Sequence, residues 1–532
     1  MKTAAYLSTP AWSELVVEPV YGRPTQVWRE RPRQVLDLLA LAVGKPDQDL
    51  LVQGERRISF GAFRSATESG AAELAKLGIG PGDKVLIVLY NSAEFLLAQW
   101  SAWRVGAVPV LGNRWWSERD LLDVISRVKP ALLITDMPVS IADGDLPRRI
   151  TPDVVATWWT VPPPARAVPE PGDKIAEDDV ALMVFTAGSS GAPKGVQLSH
   201  RNLVWTQQTV HVMRGGRPAA PASSAEQKVA LVTTPMFHNG AVVAGLSALM
   251  DGNRMVMLQG KFVPEEAMKL ITRERVNSWS AVPTMFSRML QHPDFANYDL
   301  SSLVAPATGG TMVPAPLLEA VQAQMPHATK GFSIGYGMTE MSFLTMAMAA
   351  QILQKPATVG KPIPGVELRI DQPDASGEGE LVGRSGALMV GYFDTPEQPI
   401  DADGWYHTGD LGRIDADGFF YITGRSKDMV IRGGENIACP HVEAALIAHE
   451  DVLEVAVVAV PDEEFGEAVA AVVYARPGSG LSEDALRNFA RRSLAYFEVP
   501  SHWIFRSTPL PVLPTGKIDK RSIRQELANA RS

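Results

Sequence analysis

The spacing of apolar positions changes period several times along the chain, and each change predicts an element. From Gln34 to about Asp136 helical and strand periods alternate. Phe60 to Leu77 is amphipathic with a helical repeat, Lys84-Val85-Leu86-Ile87-Val88-Leu89 is a short apolar run that predicts a buried strand, Ala93 to Val105 is helical again, and Val108-Pro109-Val110 follows. Such alternation predicts α/β layers around a largely parallel sheet. Trp115 and Trp116 fall in a turn after Asn113-Arg114, where packing at a surface groove is their expected role. Val180 to Phe185 predicts a strand, and Gly195 to Ser199 alternates like a second one. Val229 to Thr233 predicts another. From Val359 onward, short alternating strands separated by Gly and Asp predict an all-β subdomain. Val442 to Ala448 then predicts a helix, Val452 to Val460 and Ala468 to Ala475 strands, and Glu483 to Ser493 a helix, which together make a small α+β unit. Thr151 to Asp178, rich in Pro and charge, is expected to be a linker or surface excursion, and Gly215 to Ser224 a second loop.

Composition narrows the class. A chain of 532 residues is long enough for at least two domains. With 46% hydrophobic and 20% charged residues it is an ordinary globular sequence and not a disordered one. The formal net charge of -9 argues against nucleic acid or an anionic membrane as the main partner. One cysteine, Cys439, excludes an intrachain disulfide framework and fits a reducing compartment, so the cytoplasm is the expected location. The most apolar long window, Val229 to Met250, is broken by Thr233, Thr234, Pro235, His238 and Asn239, so integral membrane association is not expected. The first ten residues lack the apolar core of a secretory signal, and Ala530-Arg531-Ser532 is not a peroxisomal address.

The chemistry centres on Thr186-Ala187-Gly188-Ser189-Ser190-Gly191-Ala192-Pro193-Lys194-Gly195. Small residues let backbone N–H groups approach an anion, hydroxyls add donors, and a lysine supplies a compact positive charge for phosphate oxygens. A Walker loop ends in Gly-Lys, whereas Lys194 follows Pro193, and the flanking patterns make this loop join strand to strand. The segment resembles the phosphate loop of the adenylate-forming superfamily, which includes acyl-CoA synthetases, beetle luciferases and the adenylation domains of nonribosomal peptide synthetases. Ala187 stands where that family usually has Ser. Most similar are the bacterial acyl-CoA synthetases.

The resemblance extends over nearly the whole chain and implies a set of roles. In the family, Thr186, Gly188, Ser189, Ser190, Gly191 and Lys194 hold the phosphates of ATP. Pro235-Met236-Phe237-His238-Asn239-Gly240 matches the segment beside the substrate carboxylate, where amino-acid-activating members generally have Asp in place of His238. Substrate binding is thereby implied for His238, Asn239, Gly240, Ala307, Gly335 and Met338, and the absence of fixed charge at Gly240, Ala241, Val242, Val243, Ala305, Ala307, Met338 and Met341 points to an apolar acid. Gly309, Gly310 and Thr311 match backbone along adenine. Gly335, Tyr336, Gly337, Met338, Thr339 and Glu340 match the segment that stacks adenine, bonds phosphate through Thr339 and holds Mg²⁺ through Glu340. Asp410 matches the acceptor for both ribose hydroxyls. Ile422 and Arg425 complete the nucleotide site, Lys427 matches the hinge, and Gly433, Gly434 and Glu435 lie on the path of the CoA thiol. Lys517, in Pro514-Thr515-Gly516-Lys517, matches the catalytic lysine.

The implied architecture is α/β: a large N-terminal domain, 1–426, of layered α/β subdomains plus a β subdomain, and a small mobile α+β C-terminal domain, 427–532. The implied activity is ATP- and Mg²⁺-dependent ligation of a carboxylic acid to coenzyme A through an acyl-adenylate, on a medium-chain fatty, aryl or alicyclic acid. Delivery of the acyl group to a carrier protein or to oxygen is the alternative within enzymes, and a noncatalytic nucleotide or acyl sensor is the alternative outside them. Joint retention of Lys517, Glu340 and the Gly433-Gly434 pair speaks against the sensor. A homodimer is one assembly that the sequence leaves open.

Overall fold

The protein is described by a computed structural model covering residues 10–40, 46–138, 147–163, 174–186, 193–214, 227–311, 313–396, 398–425, 428–432 and 435–531. Local signals in the sequence set the helix starts. Ser59, Ser92 and Ser199 are each extended, and each side chain accepts an N–H of the first turn, so helices begin at Phe60, Ala93 and His200. The first two run Phe60–Lys76 and Ala93–Arg104, close to the predicted spans.

Two large sheets make the N-terminal body. A seven-stranded sheet runs in the order Gly391–Phe393, Lys194–Ser199, Val180–Thr186, Val108–Leu111, Lys84–Val88, Leu132–Thr135, Arg148–Ile150. It is parallel from Val180–Thr186 outward, as the alternation predicted, and antiparallel where Lys194–Ser199 folds back on Val180–Thr186 and pairs with Gly391–Phe393. The second sheet has nine strands, with a parallel centre that includes Val229–Val232, Ala305–Gly309 and Ser333–Met338. One core takes Val85, Ile87 and Leu182 from the first sheet, Leu51, Val232 and Met255 from the second, and Phe95, Trp100, Leu203 and Leu246 from helices, which makes the layers a single packed unit.

Beyond these lies a four-stranded antiparallel sheet of Glu367–Asp371, Gly379–Arg384, Tyr406–Ile414 and Phe420–Arg425, the predicted β subdomain. The C-terminal part forms a five-stranded sheet from Met429–Arg432, Glu435–Ala438, Val452–Asp462, Gly466–Ala475 and His502–Arg506, flanked by helices Cys439–Ile447, Glu483–Ala490 and Lys520–Arg531. Its two core clusters draw only on residues from Val430 onward.

The stretch after Thr151, expected to be a linker, begins with a short helix, Pro152–Thr157, and Trp158 is buried to 2% exposure. Gly70 makes the room: a Cβ there would come within 2.7 Å of the Trp158 ring. Proline and charge hid an aromatic anchor. Trp115 and Trp116 pack edge-on against Phe237 and Phe185, at 5.6 and 5.4 Å between ring centres, as packing residues do. The loop 215–224 lies outside the described residues. Among the described residues no helix is long and apolar enough to cross a membrane.

Candidate functional site

The hairpin Val180–Thr186 and Lys194–Ser199 pairs Thr186 with Lys194, so the two ends of the phosphate-loop motif sit side by side. The connection is strand to strand, as predicted. Gly188, Ser189, Ser190 and Gly191 lie outside the described residues. Lys194 starts its strand with its ammonium 5.2 Å from the centre of the Tyr392 ring, a cation–π arrangement that the neighbouring edge strand Gly391–Phe393 supplies. Gly195 permits that edge: a Cβ there would meet Phe393 at 3.2 Å and Met183 at 3.1 Å.

The next part of the site stands at the ends of two parallel strands. Gly309 and Gly335 are in register, and a Cβ on Gly309 would lie 2.2 Å from the Gly335 carbonyl, so no side chain fits. Gly337 is equally constrained by the Ser342 carbonyl at 2.1 Å. The chain reverses between Met338 and Ser342, and this turn carries Thr339 and Glu340, both buried. The Tyr392 hydroxyl donates to Glu340 Oε1 at 2.7 Å and lies 3.1 Å from the Tyr406 hydroxyl. Burial raises both phenols above their ordinary range, so they stay neutral donors. Tyr392 thus connects Lys194 to Glu340. Nothing local marked it in the sequence, because Gly-Tyr-Phe is an unremarkable edge-strand tripeptide.

Tyr336 turns its phenol toward the β subdomain and donates to Asp410 Oδ2 at 2.6 Å. Arg425 Nε donates to Oδ1 of the same carboxylate at 2.5 Å. Asp410, at 2% exposure, is thereby held by two partners, and a carboxylate has about four acceptor positions, so two remain for hydroxyl donors. Ile422 is half-buried on the adjacent strand Phe420–Arg425, opposite Gly412.

His238 caps the helix Asn239–Asp251: its Nδ1 accepts the Gly240 N–H at 3.2 Å. With Nδ1 an acceptor, the proton of the neutral ring sits on Nε2, which leaves one N–H to offer a ligand. Burial, and then the nearby Lys517 charge, pushes the imidazole down to about 4. Asn239 is buried and its Oδ1 has no protein partner. Ala307 and Met338 are half-buried at the strand ends. Met341, expected on an apolar wall, is instead fully buried in the core, where its methyl would sit 3.3 Å from a Cβ on Gly383. Ala241 and Val242 also belong to that core.

Lys517 enters from the C-terminal part. Its loop is closed at the base by Asp519 N–H to the Pro511 carbonyl, 2.8 Å, and at the tip by Leu513 N–H to the Lys517 carbonyl, 2.7 Å. Gly516 (φ +81°) docks on Val282 and Met285, which a Cβ would approach to 2.8 and 2.7 Å. Lys517 then lies along Gly310, with Nζ 3.6 Å from the position of a Cβ there. Burial and the Arg425 charge lower its pKa to about 8, against the opposing pull of Asp410 and Glu340. Thr311 is exposed beside this strand end. Lys427, Gly433 and Gly434 lie outside the described residues; Glu435 is exposed and pairs with Arg432.

The structure therefore brings Lys194, His238, Gly310, Tyr336, Glu340, Asp410, Arg425 and Lys517 to one cleft. Its charge pattern suits an anion flanked by lysines and a cation on Glu340. Among the described residues no group of three or more His, Cys, Asp or Glu could hold a metal, so Glu340 would hold an ion with few other protein carboxylates, as suits Mg²⁺, which normally keeps several waters and phosphate oxygens.

Comparison with known proteins gives matching results. The family model described as AMP-binding enzyme matches residues 40–393, and the one described as AMP-binding enzyme C-terminal domain matches residues 441–517. A Rhodococcus jostii CoA ligase, named for a propanoyl group borne on a methyl-dioxo-octahydroindene, is 33% identical over 514 residues, covering 90% of this chain and 95% of the relative. ATP-bound MatB from Rhodopseudomonas palustris superposes with a TM-score of 0.82 at 26% identity, covering 94% of this chain and all of that one. The O-succinylbenzoate coenzyme A synthetase MenE of Bacillus subtilis, in complex with ATP and magnesium, gives 0.76 at 25% identity, covering 92% and 98%.

Proposed function

The chain belongs to the AMP-binding enzyme family and is an AMP-forming acid–CoA ligase that uses ATP, Mg²⁺ and CoA, and on that premise we propose how its own residues divide the work and which acid it takes. The observation that carries the assignment is the convergence of Lys517, from the far end of the chain, on the strand end formed by Gly309 and Gly310, within electrostatic reach of His238, Glu340, Asp410 and Arg425.

In the first half-reaction a carboxylate oxygen bonds to the α-phosphorus of ATP, and the bond from that phosphorus to the bridging oxygen breaks, releasing pyrophosphate. An anion meets a polyanion, so charge neutralisation and alignment dominate the barrier. We assign Lys194, with Thr186, Gly188, Ser189, Ser190 and Gly191, to the β- and γ-phosphates, and Lys517 to the carboxylate and α-phosphate. Thr339 donates to phosphate. Magnesium on Glu340 supplies positive charge between phosphate oxygens. Asp410 takes the ribose hydroxyls, Tyr336 and the Gly309-Gly310 strand end flank adenine, and His238 offers its Nε2–H to the substrate carboxylate. In the second half-reaction the CoA sulfur bonds to the acyl carbon, AMP leaves with the bonding pair, and the thiol proton passes to solvent. We assign Gly433 and Gly434 to the thiol's path, Lys427 to the hinge, and the divide between ATP-binding and mobile domains to residues 426 and 427.

The acid is apolar: a medium-chain fatty, aryl or alicyclic carboxylate. A neutral His238 in place of a carboxylate provides nothing to pair with a substrate ammonium group, and the fused-ring acid named for the Rhodococcus jostii relative is of this kind. The cytoplasm is the compartment we assign, in keeping with a lone buried thiol at Cys439. The test is a panel of acids scored for pyrophosphate release with and without CoA. Release and thioester formation with apolar acids support the reading. Preference for an amino acid or a dicarboxylate overturns the substrate, and release without thioester overturns the acceptor.

A further inference from the structure

The helix Pro283–Leu290 bears two contacts to the C-terminal part, one turn apart. Met285, with Val282 just before the helix, receives Gly516 at the tip of the Lys517 loop. Arg288, three residues on and so on the same face, grips the base of that loop. Its Nε donates to Glu454 Oε1 at 2.8 Å, and its Nη2 donates to Oε2 at 3.2 Å and to the Leu510 carbonyl at 3.1 Å. Glu454 Oε2 in turn accepts the Leu510 N–H at 2.7 Å. The carboxylate is 5% exposed, and Leu510 opens the loop that ends in Lys517.

We propose that Arg288 is a positioning residue for the acid-activating half-reaction, and that its fork on Glu454 and Leu510 is the clasp that keeps the Lys517 loop docked. The inference rests on the reaction assigned above. Arg288 lies in the last turn of its helix, and its hydrogen bonds go to Glu454 and Leu510, so it acts on Lys517 through the loop. A bidentate guanidinium–carboxylate pair is both strong and directional, so it fixes the angle of the docked part as well as its presence. Removing Arg288 leaves Glu454 a buried charge with one N–H donor. The easiest relief is undocking, which exposes the carboxylate to water and withdraws Lys517. Acyl transfer to CoA has no need of Lys517 against Gly310, so the clasp bears on one half-reaction and not on the other.

The experiment compares Arg288→Met, which keeps the apolar stem, and Arg288→Lys, which keeps the charge without the fork, with the unaltered enzyme. Adenylation is followed as ATP–pyrophosphate exchange, thioester formation is followed from supplied acyl-AMP and CoA, and Lys517 is labelled with an amine-reactive reagent and quantified by mass spectrometry. For Arg288→Met we expect exchange kcat to fall about 10- to 50-fold, as a docked population does when its clasp is lost, with KM for ATP and the thioester rate within about twofold. Lys517 labels several-fold faster, and Arg288→Lys recovers part of the loss. Equal loss of both half-reactions, with or without a lower Tm, makes Arg288 merely structural and overturns the clasp. So does an unchanged exchange rate with unchanged labelling. If the unaltered enzyme releases no pyrophosphate with any acid, the assigned reaction is what fails, and the labelling rates alone decide for or against the clasp.

Discussion

Lys517 lies along Gly310, with Cε 3.4 Å and Nζ 3.6 Å from where a Cβ on that glycine would stand. This placement buries an ammonium group and lowers its pKa from 10.5 to about 8. Between those two pH values the unfolded chain binds more protons than the folded one, so this residue's contribution to stability rises with pH from about 8 to 10.5 and is unfavourable below. Lys517→Met is therefore predicted to raise Tm at pH 7 while lowering pyrophosphate exchange by about 10²–10³. The exchange kcat/KM of the unaltered enzyme, which reports the free enzyme, is predicted to decline above about pH 8 as the ammonium is lost. A Tm that drops on substitution, measured by calorimetry, would contradict this account.

His238, with its pKa near 4, stays neutral throughout the ordinary assay range. The kcat/KM profile for adenylation is predicted to show no imidazole step between pH 5 and 7.5, the interval in which an exposed histidine would titrate. His238→Gln keeps an N–H donor and is expected to retain activity within about tenfold, whereas His238→Asp sets an anion against the substrate carboxylate and is expected to lose about 10²–10³. A pH step near 6.5 that disappears in His238→Gln would refute the neutral ring.

Tyr392→Phe removes the hydroxyl that Glu340 accepts and keeps the ring beneath Lys194. The magnesium concentration for half-maximal pyrophosphate release is predicted to rise about 5- to 20-fold, because outer partners of a metal-binding carboxylate orient it, and the ATP requirement at saturating magnesium is expected to move little. Magnesium titrations at fixed ATP make the distinction; an unchanged half-saturation point would reduce Tyr392 to a packing residue.

Gly386 leaves no room for a side chain: a Cβ would stand 2.3 Å from Cδ1 of buried Trp205. Gly386→Ala is predicted to destabilise the protein by about 1–3 kcal/mol through overpacking. Pairing it with Trp205→Phe should return part of that loss, which urea unfolding of the single and double variants would measure.

Most elements and the outline of the site were legible because their signals are local. Phe60 to Leu77 and Ala93 to Val105 were readable from their helical period, and the hairpin joining Thr186 to Lys194 from two apolar runs and the small residues between them; the helix that starts at His200 was not predicted. Contacts between distant segments were not. Arg288 and Glu454 are 166 positions apart, and Tyr392 reaches Glu340 across 52, with no pattern at either end to pair them. Met341 misled for the opposite reason. It is adjacent to Glu340 in sequence, but the reversal at Ser342, with φ of +57°, sends it into the core while its neighbour faces the cleft. Trp158 was hidden by its Pro-rich surroundings, since burial there depends on Gly70, 88 positions earlier, lacking a side chain.

The separate cores on either side of residues 425–428 bear on how Lys517 should be regarded. Among the described residues its loop shares no hydrophobic cluster with the sheets that carry Lys194, Glu340 and Asp410, and it meets the larger part at Gly516 on Val282 and Met285 and at Leu510 on Arg288. If the C-terminal part moves as the assigned hinge requires, it acts in thermodynamic terms as a ligand on a leash, at the roughly millimolar effective concentration that a short flexible link confers. If the hinge assigned above operates, a docking contact that releases Lys517 once per turnover serves better than a permanent one, and at that concentration a modest contact suffices. Cutting the chain there would dilute that tethered ligand to the concentration of any other solute, and at micromolar protein such a contact would hold almost none of it in place.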